Sequence, residues 1–241
     1  MYQKAENLWP KSLDKRRSIG YIFHMETMLP NSNEFTTHQE ARAYGHELLQ
    51  RNVVEAASHL LVAEGPEALT VRRVAKTLNC STKIIYTMFA GKDGLANALY
   101  LEGCTRLSQT IGIVPQAASP HTYIQEIAWA YWRFALANPS HYAVLFGGPI
   151  PKFQPSANSK QMMTRALETV ARILHVYMAQ GLLPAQDPVR LTRTIWAPFH
   201  GVVSLHLLGH FSDEEEAKQA FERTVQAMAD SLGSSTPPDA L

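Results

Sequence analysis

Apolar residues recur at helical spacing along almost the whole chain. From about Thr37 to Glu64 the stripe Val53, Val54, Ala57, Leu60 and Leu61 predicts one long amphipathic helix, stopped by Gly65 and Pro66. A short helix follows, with Val71, Val74, Ala75 and Leu78 at i, i+3, i+4 and i+7 and Thr70 as its N-cap. Asn79 stands where that helix must stop, since Asn tolerates the left-handed conformation better than most residues. Ser81 caps a second short helix, whose Ile85 and Phe89 face inward at i, i+4. Gly91-Lys92-Asp93 then opens a longer helix to about Ile113, carrying Leu95, Leu99, Tyr100 and Leu107.

The second half repeats the pattern. After a break at Val114–Pro120, Ile124, Ile127, Ala128, Tyr131, Trp132 and Ala135 mark a helix over Pro120 to Ala137, limited by Pro139. A short piece, Ser140–Phe146, leads into the breaker-rich loop GGPIPKFQP. Long helices are expected at about Ser156–Gln180, Pro188–Gly209 and Asp213–Leu232, the last with acidic residues in its first turn, where the helix dipole favours them. No run alternates with period two over several strands, so the fold class is all-α.

Residues 1–36 show no sustained period and are read as a mobile extension, with Met25 and Met28 as alternative starts. Within it, Lys15, Arg16 and Arg17 form either a basic arm for a DNA groove or a solvated charge cluster. The tail SSTPPDAL, residues 234–241, is expected to be disordered.

Two short helices joined by a tight turn, with Arg72, Arg73, Lys76 and Lys83 between the apolar positions, describe a helix-turn-helix. The implied function is reading DNA. The net charge of +1 excludes a generally basic nucleic-acid binder, so the contact must rest on the local patch between Arg72 and Lys92. An apolar fraction of 46% and a charged fraction of 18% over 241 residues allow one large or two modest cores. Cys80 and Cys104 make no disulfide framework and no metal-finger spacing, which suits a reducing cytoplasm. No segment approaches a membrane span, and the N-terminus lacks a signal-peptide pattern.

The stretch RNVVEAASHLLVAEGPEALTVRRVAKTLNCSTKIIYTMFAGKDGLANAL, Arg51 to Leu99, resembles the DNA-binding domain of the tetracycline-repressor-like (TetR/AcrR) family. The carrying features are the apolar helix ending in AEG, the T-V-R-x-V-A opening and the S-T-K-x-I-Y-x-x-F recognition helix. A Lys-Asp pair then starts the fourth helix. TIWAPFHGVVSLHLLG, Thr194 to Gly209, is similar to the Trp…His-Gly signature of a subset of these regulators. The resemblance implies a DNA-binding domain over 37–113 and a ligand-binding and dimerisation domain over 114–233. It further implies a cytoplasmic homodimer that binds a palindromic operator, usually as a repressor released by a small molecule, with no cofactor. Met88, Asn79 and Ile84 depart from the family's common residues, so no operator sequence transfers.

A recognition helix presents its N-terminal turn to base edges, while phosphate contacts fix its orientation. Thr82 and Lys83 lie in that turn, beside Ser81; Lys83 suits guanine O6 or N7, and Thr82 bonds to several bases. Ile84 either packs on a thymine methyl or joins Ile85 in the core. Arg72 is the candidate for a bidentate guanine contact. Arg73, Tyr86 and Lys92 are assigned to phosphates, with Thr70 and Thr87 completing the surface. Lys76 is read as a solvated charge.

In the second half Trp132, Met163, Trp196 and His200 are the expected ligand-binding residues, the remaining aromatics being core. Gly201 suggests close helix packing, within the protomer or across a dimer, and Val202, Leu205, Leu208, Phe221, Val225 and Met228 suggest a four-helix dimer face. His206 and His210 stand at i, i+4, but no third ligand has a fixed spacing, so a metal site is the lesser reading. An activator, a ligand-independent regulator, a metal sensor and a DNA-transaction enzyme are the alternatives. The last would need a cluster of acidic metal ligands, and none is evident; G-x-S-x-G and a Gly-rich phosphate loop are missing too.

Overall fold

Thr37 opens the first helix with a capping box: its hydroxyl accepts from the Glu40 amide at 3.2 Å, and its own amide donates to the Glu40 carboxylate at 2.9 Å. This is a computed structural model, and it describes residues 37–65, 68–147, 150 and 153–232. Helix α1 runs His38–Glu64, followed by α2 (Val71–Thr77), α3 (Thr82–Phe89) and α4 (Lys92–Gly112). The second half holds α5 (Pro120–Ala137), α6 (Pro139–Tyr142), a π-helical turn (Ala143–Gly147), α7 (Ala157–Ala179), α8 (Pro188–Leu207) and α9 (Glu214–Ser231). There is no strand among the described residues. No helix among them is long and apolar enough to cross a membrane. The extension with Lys15, Arg16 and Arg17, the stop at Pro66 and the tail all lie outside the described residues.

Most helix starts have a local chemical cause. The hydroxyls of Thr70, Ser119 and Ser156 accept from the third amide beyond them, and the carboxylates of Asp187 and Asp213 cap α8 and α9. Pro120, Pro139 and Pro188 occupy first helical positions, where a missing N–H costs nothing. The expected short piece at 140–146 resolves into two elements, because after Tyr142 the helix widens into the π-helical turn.

The apolar faces close over two cores. One lies beneath α1–α4 and is built on Val53, Leu61, Val74, Ile85, Phe89, Leu95, Leu99 and Cys104. The other joins α5, α7, α8 and α9 through Tyr123, Phe134, Leu174, Tyr177, Phe199 and Phe221. Each fully buried large apolar side chain contributes about 1.5–3 kcal/mol. Helix α4 belongs to both, with Leu95 to Cys104 in the first and Leu107 and Ile111 in the second. The π-helical turn straddles them too, since Val144 enters the first core and Phe146 packs on the second. Its Leu145 presses on α4 at Gly103, where an added Cβ would come within 3.1 Å of the leucine Cγ.

Polar ties cross the same junction. Arg106 of α4 donates to Glu55 of α1 at 2.9 Å, to Glu102 at 2.8 Å and to the Asn138 amide oxygen at 3.1 Å. The buried hydroxyls of Ser58 and Ser140 join α1 to α6 at 2.8 Å. Beside them the ring of His141 is buried, with no hydrogen-bond partner at Nε2.

Candidate nucleic-acid interface and helical cavity

The turn between α2 and α3 depends on one left-handed residue. Asn79 has φ +49°, as its amide side chain permits, and the Cys80 amide closes the turn on the Ala75 carbonyl at 2.9 Å. Helix α3 is held from below by Ile85, fully buried, and Phe89. Its opposite side carries Thr82, Lys83, Tyr86 and Thr87, all exposed. Ser81 makes no cap bond with its side chain and is exposed at the helix start. Ile84 is half-buried, between the two readings of it, and Met88 is half-buried against the head core.

The cations around α3 differ in freedom. Arg72 and Lys83 are exposed and make no ion pair among the described residues. Arg73 is instead paired with Glu64, its Nε donating to Oε2 at 3.1 Å and its Nη2 to Oε1. That hydrogen bond and charge hold the guanidinium further into its charged form. The Thr70 hydroxyl accepts from the Arg73 amide at 3.2 Å, and the Thr87 hydroxyl donates to the Lys83 carbonyl at 2.9 Å, so both are engaged by their own helices. Lys76 is exposed.

From α3 to α4 the chain turns through Ala90 at φ +56° and Gly91 at φ +110°. Ala in the left-handed region costs about 1–2 kcal/mol. Nothing in the residue pattern announced it. Gly94 is required: a Cβ there would fall 1.6 Å from the Phe89 carbonyl oxygen. Helix α4 therefore begins directly against the end of α3, with half-buried Lys92 at its first position. Exposed Tyr86 lies near Gly91, where an added Cβ would meet its ring at 3.5 Å.

In the second half an apolar cavity of about 40 Å³ lies between α4, α5, α7 and α8. Leu107, Ile111, Tyr131, Phe146, Met163, Trp196 and Phe199 are among its walls. Of the four expected ligand-binding residues, Met163 and Trp196 line it; Trp132 and His200 do not. Trp132 packs instead on Phe221, with centroids 4.7 Å apart, and stacks on His206 at 5.4 Å. His200 sits behind the wall, its Nδ1 2.7 Å from the Tyr142 hydroxyl and 3.0 Å from that of Tyr131. Tyr142 also meets the Ser204 hydroxyl at 3.0 Å. Burial pushes the His200 imidazole below its ordinary pKa and the Tyr131 phenol above its own, so both are neutral. Tyr131, Tyr142 and Phe146 were not among the expected site residues, because residues 58 and 69 apart meet only through tertiary packing.

One expectation for the outer helices needs correction. Phe221 and Val225 are turned into the protomer's own core, so they offer nothing to a partner; Leu205 and Leu208 remain exposed. Gly201 has open space where a Cβ would sit, so it packs closely on nothing within the protomer. Among the described residues no three His, Cys, Asp or Glu side chains are grouped to hold a metal ion.

Comparisons with known proteins match two separate stretches of the chain. Residues 53–99 match the family described as bacterial regulatory proteins of the tetR family. Residues 124–228 match the tetracyclin repressor-like C-terminal domain. The HTH-type transcriptional regulator Rv1816 of Mycobacterium tuberculosis is 22% identical over 152 residues, spanning 61% of this chain and 65% of the relative. This chain thus covers somewhat less than two thirds of that protein. YobS of Bacillus subtilis, an HTH-type regulator, is 20% identical over 186 residues, 77% of this chain and 93% of its own. The crystal structure of PfmR from Thermus thermophilus, a TetR family transcriptional regulator, superposes with a TM-score of 0.59 at 19% identity. It covers 77% of this chain and 99% of that one, a likeness of fold.

Proposed function

We propose, from the premise that the chain belongs to the tetR family of bacterial regulatory proteins, that it is a cytoplasmic homodimeric repressor. It binds a palindromic operator in double-stranded DNA and leaves it when a small molecule enters the helical domain. One observation carries the reading. The first turn of α3 is exposed at Thr82 and Lys83, while Ile85 and Phe89 anchor the same helix in a core.

That arrangement lets α3 enter a major groove as a rigid body. Lys83 and Thr82 reach base edges, and Arg72, also unpaired, reaches a guanine beside them. Phosphates fall to Lys92 and the α4 N-terminus, to Tyr86, to Ser81 and, once released from Glu64, to Arg73. Ile84 lies close enough to the surface for a thymine methyl. Thr70 and Thr87, committed to their helices, support the surface by shape.

One head makes few phosphate contacts, so useful affinity needs two subunits on two half-sites. The outer side of α8, with Ala197, Gly201, Leu205 and Leu208, supports pairing through that helix. A ligand releases DNA only by binding the non-operator arrangement more tightly than the operator-bound one. Met163 and Trp196 are the ligand-contacting residues in this reading.

Footprinting of DNA next to the chain's own gene, followed by anisotropy titration, tests it. The expected result is a two-fold symmetric site with half-site centres about one helical turn, or a multiple, apart. Lys83→Ala and Arg72→Ala should each relax preference at one base pair, at a cost of about 1–3 kcal/mol. Lys92→Ala should weaken all sequences alike and reduce the salt slope by about one. Unchanged binding by Lys83→Ala would overturn the orientation given to α3.

A further inference from the structure

We infer that the cavity between α4, α5, α7 and α8 is a site for an uncharged, hydrocarbon-rich molecule of alkylbenzene type, admitted past Phe146 and Met163. The inference deepens the proposed effector site and rests on the second half being ligand-binding.

The walls carry no charge and leave few hydrogen-bonding groups free for a ligand. No Asp, Glu, Lys, Arg or His lines the space. Of the polar groups that do, the Thr192 hydroxyl already donates to the Pro188 carbonyl at 2.8 Å. The Tyr131 hydroxyl is engaged by His200 Nδ1 at 3.0 Å, and the Trp196 side chain interacts with that same hydroxyl. A carboxylate entering here would lose its hydration and meet no free donor, and an ammonium would recover only part of its hydration from the ring faces and hydroxyl oxygens, while an alkyl or aryl group would lose no hydrogen bond.

Shape sharpens the class. Tyr131, Phe146 and Trp196 of the lining are in ring contact with one another, at 5.5 to 6.5 Å between centroids, while Leu107, Ile111, Ile127 and Val170 supply aliphatic wall. A ring fits the first set edge-to-face, and a short alkyl chain fits the second. The space of about 40 Å³ is smaller than the roughly 150 Å³ that accepts benzene in an engineered apolar cavity, so two walls must move.

Phe146 and Met163 are the walls built to do so. Both are half-buried, as are Leu167 and Trp196 of the lining, whereas Leu107, Tyr131 and Phe199 are buried. Phe146 lies on the π-helical turn, just before Gly147, and its ring meets those of Tyr142 and His200 at 4.9 Å, Trp196 at 5.5 Å and Tyr131 at 6.5 Å. Met163 is unbranched and adapts to an irregular neighbour. The hydrogen bonds joining Tyr131, Tyr142, His200 and Ser204 fix the rear of the site, so the front yields first.

The test is a matched series on the full chain: n-propylbenzene, 3-phenylpropanoate and 3-phenylpropylamine, followed by tryptophan fluorescence and thermal midpoint. Saturable binding of the hydrocarbon is expected, with both charged analogues at least about 100-fold weaker. Ala166→Leu, which fills the cavity, should abolish hydrocarbon binding with helicity unchanged. Met163→Ala should tighten binding of the longer n-pentylbenzene, and it serves if the filling variant does not fold. Equal binding of all three probes, or no saturable binding of the hydrocarbon, overturns the inference. Operator release is read separately: hydrocarbon binding that leaves operator affinity unchanged upholds the site and overturns its role as the effector site.

Discussion

Arg73 and Glu64 form a two-pronged ion pair that closes the end of α1 onto the start of α2, directly beside exposed Arg72. The guanidinium assigned to a phosphate is therefore already engaged before DNA arrives. An exposed pair of this kind is worth at most about 1 kcal/mol, so a phosphate can compete for it.

Removing the competitor should show this. Glu64→Gln is expected to raise affinity for all DNA sequences about threefold at low salt and to steepen the salt dependence by about one ion. Anisotropy titrations at several salt concentrations check it. Unchanged affinity and an unchanged slope would mean that Arg73 makes no phosphate contact even when released from Glu64.

Gly94 yields a stability prediction. With the Phe89 carbonyl oxygen 1.6 Å from any Cβ at that position, Gly94→Ala forces α3 and α4 apart. A loss of about 3 kcal/mol is expected in urea unfolding, well beyond the usual effect of replacing a helical glycine by alanine, which is favourable. Gly112→Ala, where a Cβ meets nothing, is the control.

His141 predicts an acid sensitivity. Burial, with help from the nearby Arg106 and His59 and against Glu55 and Glu102, lowers its imidazole from the ordinary 6.5 to about 4. Between those values the unfolded chain binds a proton that the folded chain refuses, so stability falls as pH drops from 6.5 toward 4 and loses nothing further below that. The effect is at most about 3 kcal/mol. Urea midpoints at pH 7 and pH 4.5 should differ less in His141→Gln than in the unsubstituted protein.

Much of the helical framework was legible because its ends are set by local chemistry. Thr37, Thr70, Ser119, Asp187 and Asp213 cap helices where their side chains and the prolines beside them predict it. The inward direction of Ile85 and Phe89 followed from spacing alone. Pairings between elements were not legible. Arg73 finds Glu64 only because α1 and α2 meet at a particular angle, and Trp132 turns to Phe221 rather than to the cavity because α9 packs there. Apolar periodicity says that a residue faces inward, and it is silent on which of two cores it faces. The π-helical turn has no periodicity of its own to reveal it.

The same division of residues bears on interchange between proteins. Val144 and Ile150 complete the core under the DNA-reading helices, although they follow the end of α4 at Gly112 by 32 and 38 residues in the chain, while Leu107 and Ile111 of α4 belong to the other core. The reading head is thus not a detachable module. A chimera cut after α4 would carry away two side chains its donor needs and leave behind two that its own core requires. Grafting this head onto another helical domain would have to transplant the π-helical turn along with it.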